Sequence, residues 1–151
     1  MSKKGLSVLG LCAGLLLFVG LSYGHHSNSI YDESNYVSLI GTVAKFEFAN
    51  PHVLIHLDVK DRDGNVVTWS TLGGPPNRMN KGAGWTSKSF RPGEELTIIG
   101  FPFRDGRPGL LFQKIVRADG QVVPMADTVV NFTRQQGREP QIIKEYGTKS
   151  N

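Results

Sequence analysis

Apolar residues along this chain fall into two regimes. Residues 6–21 (LSVLGLCAGLLLFVGL) form one uncharged run, and beyond residue 36 the apolar positions come in short stretches punctuated by glycine, proline and aspartate. The second regime reads as strands and turns. Residues 37–48 predict a long first strand interrupted by Gly41, a residue that inside a strand often marks a bend or bulge. Residues 53–60 (VLIHLDVK) alternate, with Val53, Ile55, Leu57 and Val59 on one face and Leu54, His56, Asp58 and Lys60 on the other. Asp61-Arg62-Asp63-Gly64 then reads as a hairpin loop with glycine placed for positive φ. The third strand follows over 65–72 and carries Trp69.

A Gly/Pro-rich excursion over residues 73–92 comes next, in which 76–83 read as a short helix or a single turn of one. Residues 96–101 and 110–117 predict two further strands, and Asp119-Gly120 closes a small hairpin to Val122 and Val123. Three strands, an insertion and two more strands after a bent first strand is the order of an OB-like Greek-key barrel. The fold class expected is therefore mainly all-β, a five- to six-stranded OB-like barrel with a short helix or long loop between strands 3 and 4. A β-sandwich or an open roll has a similar strand count. Residues 126–151 hold scattered apolar positions without a sustained period, so they are expected to be loosely packed or disordered.

The first regime reads as an export signal, removable over residues 1–24. Lys3 and Lys4 precede the apolar run, and Ser22-Tyr23-Gly24 puts small residues at the −3 and −1 positions of a cleavage site. The run is shorter than the roughly 20 apolar residues of a membrane span. Leu11 is too large to precede a lipidated Cys12, and no twin-arginine pair is present. The expectation is Sec-type export, cleavage after Gly24, a periplasmic or secreted product and no stable transmembrane segment after processing. Residues 25–125 then form one barrel domain. Processing takes the basic count from 17 to 15 against 13 acidic residues, so the net charge falls from +4 to +2. Cys12 leaves as well, which excludes disulfides, thiolate metal sites and thiol nucleophiles.

Cleavage would make His25-His26-Ser27 the new start. A free α-amine beside two imidazoles is a compact set of nitrogen donors. The amine and the His25 ring can chelate one ion, or the amine, the intervening amide and the His26 ring can wrap Cu(II) in a square plane. Copper is therefore favoured over zinc as a cofactor. His52 and His56 are the other histidines, four residues apart on one predicted face, which separates their backbones by ~13 Å. Only one of them can join a small ion, so the candidate metal ligands are His25, His26 and either His56 or His52. Bound metal should be lost as pH falls through the imidazole range, because protons compete for the same nitrogens.

Catalytic signatures are missing from the sequence. The carboxylates are scattered, Asp61 to Gly64 lacks the other ligands of a calcium loop, and neither a phosphate cradle nor a nucleophile elbow is found. Trp69, Trp85, Phe90, Phe101 and Phe103 near Arg78, Arg91, Arg104 and Arg107 offer an aromatic surface for a sugar, lipid-derived or small aromatic ligand, although Trp69 and Phe101 lie within predicted strands, where such rings more often belong to the core. Export and a charge of +2 weigh against nucleic acid as a partner.

His25-His26-Ser27, Tyr31-Asp32, Gly41-Thr42-Val43, Asn50-Pro51-His52-Val53 with Ile55-His56-Leu57, Gly84-Trp85, Arg91-Pro92-Gly93 and Asp105-Gly106 together carry a resemblance. Over about residues 25–125 the chain resembles a family of small exported bacterial proteins known mainly as an uncharacterised domain. The resemblance implies an exported single domain and no particular activity. Relatives tend to have an acidic or polar residue and Ser-Pro-Asn after the third strand, where this chain has Leu72-Gly73-Gly74-Pro75-Pro76-Asn77. The reading that emerges is a periplasmic binding module for metal capture or delivery. A module for an organic ligand or a cell-envelope protein is the alternative, and an enzyme subunit needing a partner chain is a third.

Overall fold

The computed structural model describes residues 30–126 and 142–147. Six strands and one helix follow in the order β1 (Tyr36–Phe48), β2 (Val53–Lys60), β3 (Val66–Leu72), α1 (Pro76–Ala83), β4 (Glu95–Pro102), β5 (Gly109–Arg117) and β6 (Ile142–Tyr146). The sheet runs β2-β3-β5-β4-β1-β6, and β1 also pairs with β2. That last pairing closes five strands into a barrel, which separates the fold from a sandwich or an open roll. β3 and β5 are parallel while the other pairs within the barrel are antiparallel. The expected all-β, OB-like barrel with a short helix between strands 3 and 4 is the observed one.

Strand β1 can serve two neighbours because it changes both direction and phase. Residues 37–42 pair with β4 and residues 42–48 pair with β2. Between Val43↔Leu57 and Lys45↔His56 one extra residue, Ala44, is inserted. This bulge shifts the inward positions from Val37, Leu39 and Val43 to Phe46 and Phe48. Lys45 and Glu47 are thereby turned to the outer face. Gly41 is not the bulge. It is a point of close approach, where a Cβ would lie 2.4 Å from the Asp58 carbonyl oxygen.

The alternating faces of β2 and β4 fill the barrel with Val53, Ile55, Leu57, Val59, Leu96 and Ile98, joined by Leu110, Phe112 and Ile115 from β5. Helix α1 closes one end. Pro76 supplies a preset φ in its first turn, and Gly84, at φ 72°, ends it in the left-handed conformation with its N–H bonded to Asn80 O. Met79 from α1 is fully buried in the core. Trp69, Trp85, Phe90 and Phe101 are buried too, and Trp85 Nε1 donates to Pro124 O at 2.8 Å.

The small hairpin expected after β5 is present: Val116 bridges Val122, Arg117 N–H donates to Gln121 O and Val123 N–H donates to Ile115 O. One feature differs from the sequence reading. Within the C-terminal segment, β6 lies parallel to the first half of β1, with the Tyr146 ring 5.0 Å from that of Trp69.

Candidate functional site

The outer face of β2 and β3, bordered by the β1–β2 and β4–β5 loops, is where OB-like barrels present ligand-binding side chains. In this chain a row of paired residues crosses that face. Lys45 on β1 pairs with His56 on β2, His56 with Ser70 on β3, and Ser70 with Gly109 on β5. Phe103 N–H donates to Gly109 O at 3.1 Å, and Tyr31 bridges to Phe103. The row thus ends at the segment leading into the barrel.

His56 is the chemical centre of the row. Its Nε2 lies 2.7 Å from Glu47 Oε1, and Lys45 Nζ lies 3.1 Å from the same oxygen. The side chain of His56 is 24% exposed, so it is partly open to solvent. Hydrogen bonds from His56 first and Lys45 second hold the Glu47 carboxyl below the usual carboxylate range. Glu47 therefore stays an acceptor for the ring's N–H. On the same face Thr68 Oγ1 donates to Asp58 Oδ1 at 2.6 Å. The neighbouring row, Leu54–Leu72–Leu111, is apolar and half-buried.

The lead into the barrel is clamped at the other end of the row. Asp32 N–H donates to Pro102 O at 2.8 Å, and Arg104 N–H donates to Ile30 O at 2.9 Å. The Tyr31 and Phe103 rings stack at 5.2 Å, and the Arg107 guanidinium sits 5.1 Å from the Phe103 centroid. Gly109 makes room for this: a Cβ there would lie 2.1 Å from Phe103 Cε2. Burial raises the Tyr31 phenol above its ordinary range. Hydrogen bonds from Ser34 and Asn35 lower the Asp32 carboxyl. Asp32 is thus ionised and consumed in the turn.

Of the four candidate ligands, His56 is placed as the alternation of β2 predicts. His52 is exposed in the loop of residues 49–52, one strand turn and more away, and the structure does not bring it to His56. His25 and His26 lie outside the described residues. Among the described residues no three His, Cys, Asp or Glu side chains gather as a metal-holding group. The proposed aromatic surface shrinks to Phe103, since Trp69, Trp85, Phe90 and Phe101 are buried. Sequence reasoning missed Glu47, whose place beside His56 depends on the Ala44 bulge. The signal was the change of apolar phase from 37, 39 and 43 to 46 and 48.

Among the described residues no helix is long and apolar enough to cross a membrane. A search of curated proteins finds no match. Residues 15–112 match the family of unknown function (DUF6152), a stretch that takes in β1 to β4, the clamped lead and the His56 row as far as Phe112 on β5. The chain belongs to that family.

Proposed function

We propose that this protein is an exported, OB-type module that captures a transition metal, Cu(II) ahead of Zn(II), in the periplasm or outside the cell. The α-amine and ring of His25, a nitrogen of His26 and the His56 ring are the ligands, with processing after Gly24 exposing the amine. What carries this reading is the placement of the lead on the same row as His56. From Ile30, five residues reach back about 17 Å to His25. The row from Tyr31 to His56 crosses four strand spacings, about 19 Å along a curved sheet and less across it. Adding the length of the imidazole side chains, the terminal histidines have the reach to meet His56. His52 lies four residues before His56, in the loop ahead of β2, which makes it the weaker barrel ligand.

His56→Ala tests the reading. The variant keeps its fold, because the His56 side chain belongs to the outer face, and its Cu(II) affinity in a competition titration falls by about tenfold or more. Unchanged affinity would contradict the assignment.

The half-buried Leu54–Leu72–Leu111 row favours a second reading, an organic ligand or a cell-envelope protein held on the same face. Such a partner would contact Leu72 and would bind whether or not copper is present.

A further inference from the structure

Glu47 is a carboxylate on the outer face of a strand, and an unpaired one there would simply be solvated. It is instead shared between Lys45, 3.1 Å away, and the His56 ring, 2.7 Å away. Its position is built by the Ala44 bulge. Without the extra residue, the alternation of β1 that buries Val37, Leu39 and Val43 would turn Glu47 inward and Phe46 and Phe48 outward. The bulge therefore does two things in one step: it delivers two aromatic rings to the core, and it sets a carboxylate against one chosen nitrogen of His56.

We infer that Glu47 is the positioning residue of His56, accepting the Nε2–H so that the ring is held in one tautomer and presents its Nδ1 lone pair as the donor. An imidazole has one protonated and one unprotonated nitrogen when neutral, and a hydrogen bond to one decides the role of the other. A carboxylate behind a ligating histidine orients the ring and makes the free nitrogen more basic. Lys45 contacts the same carboxylate oxygen, Oε1, and this second contact keeps Glu47 on the ring rather than turned to solvent. The assignment of Nδ1 as donor rests on the metal-capture reading, while the tautomer itself is a property of the metal-free protein.

The test uses the chain from His25 to Asn151, which contains every described residue, with Zn(II) as a diamagnetic probe at about pH 8, where an ordinary imidazole is neutral. In the metal-free protein, ring ¹⁵N spectra should show His56 protonated at Nε2 alone, with Nδ1–H appearing in Glu47→Ala. On adding Zn(II), the Nδ1 resonance should move while Nε2 keeps its proton. Glu47→Ala should lower Zn(II) affinity about 10- to 100-fold. Glu47→Gln, whose amide oxygen can still accept from Nε2–H, should restore most of it. A ring protonated at Nδ1 in the metal-free wild type would overturn the proposal, as would metal on Nε2. Equal Zn(II) affinity in wild type and Glu47→Ala, with only the denaturation midpoint changed, would reduce the pair to a clip between β1 and β2. A wild-type chain that binds no Zn(II) or Cu(II) but shows the Nε2–H tautomer alone, with Nδ1–H appearing in Glu47→Ala, would sink the capture reading and leave the positioning role of Glu47 standing.

Discussion

Phe112→Ala should remove about 3–5 kcal/mol of stability, a large part of the 5–15 kcal/mol that a domain of this size has. The ring is fully buried at the centre of the barrel, stacked 5.8 Å from Trp85. Its tip rests on the chain at Gly73, where a Cβ would come 2.0 Å from Phe112 Cζ. Phe112 also stands opposite Gly100 at the step of the β4–β5 register, beside the residue Gln113 that is inserted there. A cavity at this point cannot collapse easily, because backbone from β4 and from the segment after β3 borders it. Urea denaturation followed by tryptophan fluorescence measures the loss, with Trp85 as the neighbouring reporter. A change below about 1 kcal/mol would place Phe112 outside the core.

Blocking the amine of His25 should weaken Cu(II) binding by about 100-fold or more while leaving the fold untouched. The amine belongs to both chelates open to His25 and His26, so its loss removes the ring closure that gives either chelate its strength. Acetylation does this directly, by removing the lone pair and the charge. An extension is informative only if it is long enough. With one or two alanines added, the new amine, intervening amides and a histidine at the third position can again wrap Cu(II) in a square plane. Three alanines put His25 at the fourth position and break that chelate. Stability should be indifferent to the change, because the described contacts of the lead begin at Ile30 and Tyr31. Competition titration of blocked and free chains reads the effect, and equal affinities would remove the amine from the site.

Legibility of the fold varied along the chain for physical reasons. β2 is plain in the sequence because one of its faces is buried and the other is not, so its alternation survives intact. α1 is announced by Pro76 at its start and Gly84 at its end, although it spans only eight residues. β6 was not visible, since Ile142–Tyr146 is five residues long, too few to show a period, and its pairing is with a distant part of the chain. Trp85 and Phe90 misled as surface candidates because both pack into the core, whereas Trp69 and Phe101 are buried as their places within strands suggest.

The site was legible in part. The outward position of His56 followed from alternation alone, whereas its pairing with Glu47 required the register of two strands across a bulge. Residues 45 and 56 are neighbours only because Ala44 is skipped in the pairing. The convergence of the lead with the His56 row was equally hidden, as it runs through Phe103, Gly109 and Ser70 on three separate segments. Gly109 and Phe103 read as ordinary loop and strand residues until the ring is seen lying across the glycine.

The most direct measurement is the Cu(II) affinity of the chain beginning at His25, set against that of a free peptide of residues 25–30, both by competition with a calibrated chelator. One tight equivalent is expected in the protein, bound at least about tenfold more strongly than in the peptide, because His56 adds a ligand held by the barrel at high effective concentration. Equal affinities for protein and peptide would contradict that expectation, and would return His56 and its row to the organic or protein partner of the second reading.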